Sequence, residues 1–420
     1  MALPTWSRRV RTRSDQNGQI FGWVDAGLPK IPGRLMDHLL PVQLVELQSI
    51  ATDLAENVIA PLAAEVDAEC RWPAHSMRAL AEAGLLGLQV PVDQGGLGQG
   101  LLGLCVLTEA IARACPSSAL CYGMHCVATA VIAAKATDHQ REHYLKEIAA
   151  GRHVTTLALS EQGTGAHFYL PETRLDADGE DFIVEGTKQF VTNGGHADSY
   201  VVSTVAAGAE AGDFSCLIVD KGGEGMHWLD AWAGFGMRGN SSRPLQLDRV
   251  RVPARNLLGE PGDQVWYVFE VVAPFFLMAM AGTYLGIAQA ALDEAGLHLH
   301  SRRYSHSGES LRDVETLQVR YGELWTDLVK TRALVREAAR RGDAAHPEAL
   351  PYILACKTEA AETAVRLANE AMTLCGGAAY RENSRAARLL RDARAGHVMT
   401  PTTGLLKLWT GRSLLGVPLL

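Results

Sequence analysis

The chain has 420 residues, 47% hydrophobic and 20% charged, with a formal net charge of −8. That length allows two or three cooperating cores at about 100–200 residues per domain. The acidic balance excludes the basic footprint of a nucleic-acid or anionic-membrane binder, and the eight cysteines, with no CxxC pair, read as reduced thiols of a cytoplasmic protein without a metal site.

Residues 1–40 form a polar arm. Its basic run Arg8-Arg9-Val10-Arg11-Thr12-Arg13 is followed by no apolar h-region, so it reads as a solvated or interface-docking tail rather than a signal peptide. From 41 to 153 apolar residues recur at helical spacing, as in Leu44, Leu47, Ile50, Ala51 and Leu54, then Met77, Leu80, Ala81 and Leu85. Breaks at Arg71-Trp72-Pro73, Pro91 to Gly100 and Pro116-Ser117-Ser118 divide this part into several helices. From 154 to 262 the pattern becomes short β-type runs: Val154–Leu159, Phe182–Gly186, Ser199–Thr204, Phe214–Val219 and Pro244–Leu247. Asp178-Gly179 and Asn193-Gly194 are dipeptides of the kind that close hairpins, so a compact antiparallel β domain is expected. From 263 to 420 helical patterning returns, with loops at Gly342 to Pro347 and Cys375-Gly376-Gly377. The longest apolar run, Val271 to Met280, contains Pro274 and falls short of the roughly 18–20 residues of a membrane span, so none is expected.

The glycine-rich stretch Gly95-Gly96-Leu97-Gly98-Gln99-Gly100 follows a helix and misses the spacing of a dinucleotide fingerprint. P-loop, zincin and nucleophile-elbow motifs are missing from the sequence as well.

A set of motifs does run along the chain. Ala83 to Pro91 with Gln94-Gly95-Gly96-Leu97-Gly98 comes first, then Leu159-Ser160-Glu161-Gln162-Gly163-Thr164-Gly165-Ala166-His167 and Gly186-Thr187-Lys188-Gln189-Phe190-Val191-Thr192-Asn193-Gly194. Gly236-Met237-Arg238-Gly239-Asn240-Ser241, Leu285-Gly286, Gly376-Gly377 and Arg391-Asp392-Ala393 follow. In this order they resemble the acyl-CoA dehydrogenase family. The resemblance implies an α+β fold with an N-terminal helical domain, a central antiparallel β domain and a C-terminal four-helix bundle. It also implies FAD as cofactor, an acyl thioester as substrate, a homo-oligomer built as a dimer of dimers, and a flavoprotein electron acceptor.

By that resemblance, Leu159, Ser160, Gly165 and Ala166 meet the flavin's pyrimidine edge and phosphate side, while Phe190, Val191, Thr192 and Thr402 lie at the ring. Taken alone, Phe190-Val191 reads as a buried strand end and Asn193-Gly194 as a turn; beside the other motifs they read as flavin contacts. Arg302, Gly376 and Gly377 correspond to the residues that hold the adenosine-pyrophosphate half across a subunit boundary.

The catalytic place is where the chain departs from the family. The family's Glu-Gly-Thr is here Thr400-Pro401-Thr402, and an alcohol lies far above the pKa of a useful general base. The alternative place for the base, ahead of Leu285-Gly286, falls at Phe276-Leu277, and Glu270 would point off that helical face. His125 is either a satisfied core histidine or a proton-transfer group, His167 stands where the family has Asp, and Glu161 reads as structural. Three functional readings follow: oxidation of an acyl thioester, with His125 and Thr400 as the catalytic candidates; oxygenation by reduced flavin and O₂; or a silent FAD-binding protein.

Overall fold

The helical periodicity at the start of the chain is realised by α1 (Val42–Leu54), which buries Leu44, Leu47 and Ala51 along one stripe. The computed structural model describes residues 40–165, 167–206 and 214–420. The basic run at Arg8 to Arg13 and the flavin candidate Ala166 lie outside the described residues. After Trp72-Pro73, α2 (Ala74–Glu82) buries Met77 and Leu80. Next come α3 (Leu101–Ala114) and α4 (Pro116–Ala134), the latter with Pro116 in its first turn, where a missing N–H is harmless. The Asp343 carboxylate accepts the N–H groups of Leu101 (2.6 Å) and Leu102 (3.0 Å) at the start of α3, a long-range cap on orphan donors.

The strands are β1 (Thr155–Ala158), β2 (Arg174–Asp178), β3 (Asp181–Val191), β4 (Ser199–Ala206), β5 (Phe214–Asp220), β6 (Met226–Trp228), β7 (Arg243–Pro253) and β8 (Leu257–Leu258). They form one sheet in the order β6-β7-β3-β2-β4-β5-β8, with β1 alongside β4. Tyr200, Val202, Leu217, Val219, Leu245 and Leu247 fill its core. Two expectations are corrected here. The sheet is mixed, because β1 and β2 both run parallel to β4. They occupy successive stretches of one edge of β4: β1 opposite Ser199–Val202, β2 opposite Val205–Ala206. The chain between them therefore leaves the sheet and re-enters it in the same direction. Asp178-Gly179 does close the β2–β3 hairpin, with Gly179 at φ 66°. Asn193-Gly194 makes a turn, but β3 pairs with β2 and β7 rather than with β4, so no hairpin forms there.

Helices return as α5 (Ala273–Ser301), α6 (Glu315–Asp343), α7 (Ala349–Cys375), α8 (Arg385–Val398) and α9 (Thr403–Leu415). A π-helical turn, Tyr267–Val272, leads into α5 just ahead of Pro274, whose missing N–H breaks the α ladder there. By length and composition, Pro116–Ala134 and Gln264–Ser301 could cross a membrane, which corrects the expectation that no segment could; 89% and 78% of their apolar windows are buried as core. Gly286 lets α5 lie close against α3, since a Cβ there would stand 2.4 Å from the Glu109 carbonyl oxygen.

Candidate active site

A cavity of about 730 Å³ opens where α4, the sheet, the start of α5 and the end of α8 meet. Each wall follows from local structure. The excursion between β1 and β2 supplies Leu159, Ser160 and Phe168. Its anchor is Glu161, which accepts from the N–H groups of Glu172 (2.8 Å) and Thr173 (3.2 Å), from the Thr173 hydroxyl and from the Lys188 ammonium. Lys188 lies on β3 and also donates to the Ser203 carbonyl (2.6 Å) and hydroxyl (3.0 Å). Burial pulls its ammonium below the ordinary lysine value, against the opposing pull of Glu161. Next in the chain, Gln189 N–H donates to the Ser160 carbonyl (2.7 Å), locking the excursion to the strand.

β3 then bulges: its register against β7 shifts between Lys188 and Val191, and Phe190 takes φ 55°, rare for a bulky side chain. The Phe190 ring is thereby turned into the cavity, 65% exposed and edge-on to Trp232 at 6.4 Å. Thr192 lines the cavity beside Ser242, their hydroxyls 3.0 Å apart. Asn193, at φ 61°, accepts from Trp72 Nε1 and donates to the Cys121 carbonyl, both at 2.9 Å, tying this strand end to the α4 side.

Helix α8 presents Arg391, Arg394, Ala395 and Val398 to the cavity at i, i+3, i+4 and i+7. Arg391 pairs with Asp67 and donates to the Phe235 carbonyl (3.0 Å), and Asp392 accepts from Met237 N–H (2.7 Å), so α8 clamps the loop forming the next wall. Burial lifts the Asp392 carboxyl to about 7. After α8, Thr400 and Pro401 close the cavity. This turn is held by Lys357 of α7, fully buried, whose ammonium donates to the carbonyls of Gly396 (2.8 Å), Met399 (3.0 Å) and Pro401 (2.9 Å). No carboxylate faces that ammonium in these bonds, and burial lowers it to about 7.

The structure brings Leu159, Ser160, Phe190, Thr192 and Thr400 together around the cavity and separates the other candidates from it. His125 is buried with both ring nitrogens engaged: Nδ1 accepts from Thr155 N–H (3.1 Å), which leaves Nε2 to donate to the Leu86 carbonyl (3.0 Å). That is a neutral imidazole, and burial lowers its pKa to about 4; its lone pair is spent on the Thr155 amide. Val191 points into the sheet core. Thr402 caps α9, accepting from Leu405 N–H (3.4 Å). Gly165, Arg302, Gly376 and Gly377 are not in the cavity wall; the last two have open space where a Cβ would stand. His167 bonds the Tyr169 hydroxyl (2.8 Å) instead.

Phe276 and Thr400, the two places where the resemblance puts a base, face the same cavity, and no lining side chain among the described residues is a carboxylate. Glu270 is exposed and outside it. Sequence reasoning missed Lys357 and passed over Asn240 and Asp392 as motif letters. Lys357 had a signal: a lysine inside the apolar stripe Ile353, Leu354, Cys356, Ala360, Ala361 and Ala364.

Family models for the N-terminal, middle and C-terminal domains of acyl-CoA dehydrogenase match residues 43–152, 156–250 and 276–415. The chain is 29% identical over 377 residues to a probable acyl-CoA dehydrogenase of Mycobacterium leprae, covering 90% of this chain and 96% of the relative. It is also 29% identical over 382 residues to the cyclohex-1-ene-1-carbonyl-CoA dehydrogenase of Geobacter metallireducens, covering 90% and 100%. The solved butyryl-CoA dehydrogenase of Megasphaera elsdenii shares the fold, with a TM-score of 0.85 at 24% identity over 90% of this chain and 99% of that one.

Proposed function

Because the chain belongs to the acyl-CoA dehydrogenase family, we propose that it is an FAD-dependent oxidoreductase that oxidises an acyl thioester, on CoA or a carrier protein, across a CH–CH bond. The reading rests on one observation. A single cavity joins a strand-borne polar and aromatic wall (Ser160, Phe190, Thr192) to an apolar helical wall (Leu120, Met124, Phe276), with Thr400 between them.

The residues present fit the cofactor: the Phe190 ring, at φ 55°, offers an aromatic surface to the cavity, and Ser160 and Thr192 line the same wall. When bound, FAD supplies the hydride acceptor. Ser160 and the backbone about Leu159 would hold the ring edge, and Thr192 the side nearest the reacting carbons. Leu120, Met124 and Phe276 exclude water from the acyl group, and Lys357 holds the Thr400 turn in place. The Thr400 hydroxyl can relay a proton but not retain it. We further propose a homo-oligomer sharing its FAD sites through Arg302, Gly376 and Gly377, an electron-transferring flavoprotein as acceptor, and a cytoplasmic setting in keeping with cysteines that are all free. The three-part division is drawn near residues 153 and 262.

The test is an anaerobic titration of the FAD-loaded protein with butyryl-CoA, followed by flavin bleaching. Wild type is expected to bleach slowly, and Thr400→Glu, which restores a carboxylate, to bleach about 10²–10⁴-fold faster. If saturating FAD gives neither flavin absorbance nor a thermal shift, the reading fails. The lack of a lining carboxylate also favours a second reading, oxygenation by reduced flavin and O₂. NADH-supplied reduced flavin with an oxygenated product would select it.

A further inference from the structure

Five aromatic side chains line the cavity: Phe168, Phe190, Trp232, Phe235 and Phe276. Three of them meet another ring of the protein. Phe190 stands edge-on to Trp232 at 6.4 Å, and Phe168 edge-on to Tyr169 at 5.8 Å. Phe235 and Phe276 meet no other ring among the described residues. Phe235, 70% exposed, lies on the loop that α8 clamps. Phe276, half-buried on α5, shares the apolar helical wall with Leu120, Met124, Val272 and Ala273.

Of these two, Phe276 is the ring placed to meet the acyl group. It occupies one of the two places where the resemblance puts a base, beside the carbons that react. Its partners on the helical wall are all apolar, so the part of the acyl group that lies there is hydrocarbon. A straight alkyl chain needs only an aliphatic wall. A ring left open to a cavity gains most from a second ring, offset or edge-on, and a methionine sulfur such as that of Met124 adds to the gain. Ala273, three residues before Phe276 and on the same face of α5, takes little of the space beside it.

We infer that the acyl group carries an aromatic ring on its β-carbon and that Phe276 packs against that ring, which makes the substrate a 3-arylpropionyl thioester. This rests on the thioester reading above. Oxidation removes a hydride from the β-carbon, accepted by the flavin, and a proton from the α-carbon, which passes to water by way of the Thr400 hydroxyl. The double bond that forms is conjugated with both the ring and the thioester carbonyl. The departing hydride is benzylic, so the ring assists a reaction for which the described cavity lining offers no carboxylate.

The test compares 3-phenylpropionyl-CoA with 3-cyclohexylpropionyl-CoA, which has the same carbon skeleton without aromaticity, and with hexanoyl-CoA, all on the FAD-loaded protein. Dissociation constants are read from the flavin spectrum immediately after anaerobic mixing, and independently from the shift in melting temperature. Wild type is expected to bind the phenyl ligand about 3–10-fold more tightly than the cyclohexyl one, and Phe276→Leu to bring the two to near parity. Phe276→Tyr, which keeps a ring, should keep the preference, and the wild-type comparison stands even if Phe276→Leu does not fold. Equal or tighter binding of the cyclohexyl ligand by wild type would overturn the inference. So would a phenyl preference that survives in Phe276→Leu, because the ring would then be recognised elsewhere. If none of the three ligands perturbs the flavin, the thioester reading fails and takes this inference with it; if hexanoyl-CoA perturbs it and no phenyl preference appears, only the inference fails.

Discussion

Among the described residues two lysines are fully buried, and they are stabilised in opposite ways. Lys188, in the sheet, meets the Glu161 carboxylate and two oxygens of Ser203. Lys357, in the helical bundle, meets three backbone carbonyls. The first is an ion pair whose charges compensate, and it joins β3, β4 and the excursion that carries Ser160. The second is a lone charge held by dipoles, and it joins α7 to the turn that carries Thr400. The sheet side of the cavity is thus fixed by a charge pair and the bundle side by a group that can lose its proton near neutral pH. Stability and pH response should divide along the same line.

The largest effect is expected from Lys188→Met, which leaves the Glu161 carboxylate buried without its cation. Breaking a buried pair in this way costs about 3–5 kcal/mol, measurable by denaturant unfolding. Equal stability of Lys188→Met and wild type would show that the two lysines do not differ as described. Lys357→Met should cost less, about 1–2 kcal/mol, because the lost hydrogen bonds are partly offset by relief of a buried charge.

Lys357→Met should also change the pH dependence. The Lys357 ammonium titrates at about 7 when folded and near 10.5 when unfolded. Between these values the unfolded chain binds more protons, so this group makes stability rise as pH rises from about 7 to about 10.5. Melting temperature against pH should lose that slope in Lys357→Met and keep it in Lys188→Met. Asp392 supplies the smallest and opposite signature. Its folded value of about 7 stands above the ordinary 3.8, so the native state holds the extra proton and stability falls as pH rises from about 4 to about 7. Asn in its place keeps an acceptor for Met237 N–H, so Asp392→Asn should flatten that limb, with little change below about pH 4.

The sequence by itself determined the order of helices, strands and helices, because hydrophobic periodicity is written into each segment by its own neighbours. It also singled out Ser160, Phe190, Thr192 and Thr400, which line one cavity, since glycine-turn and strand-end motifs are local, and it showed a hydroxyl rather than a carboxylate at Thr400. Only the tertiary structure decided what the remaining polar groups do. Parallel pairing of β1 and β2 with β4 depends on which strand edge is free after folding, not on any run of residues. His125 could be read as a catalyst until Leu86 and Thr155, 39 and 30 residues away, took both of its nitrogens. Lys357 gained its role from carbonyls 39 to 44 residues away. Asn240 gained its partners the same way: Asn193, just past β3, and Cys121 of α4 engage its carbonyl, and Ser242 N–H its amide oxygen. An apolar side chain buries itself against whatever apolar surface arrives, so its fate is legible in advance. A hydrogen-bonding or titrating group is defined by the particular partner that meets it, and that partner is brought by the fold.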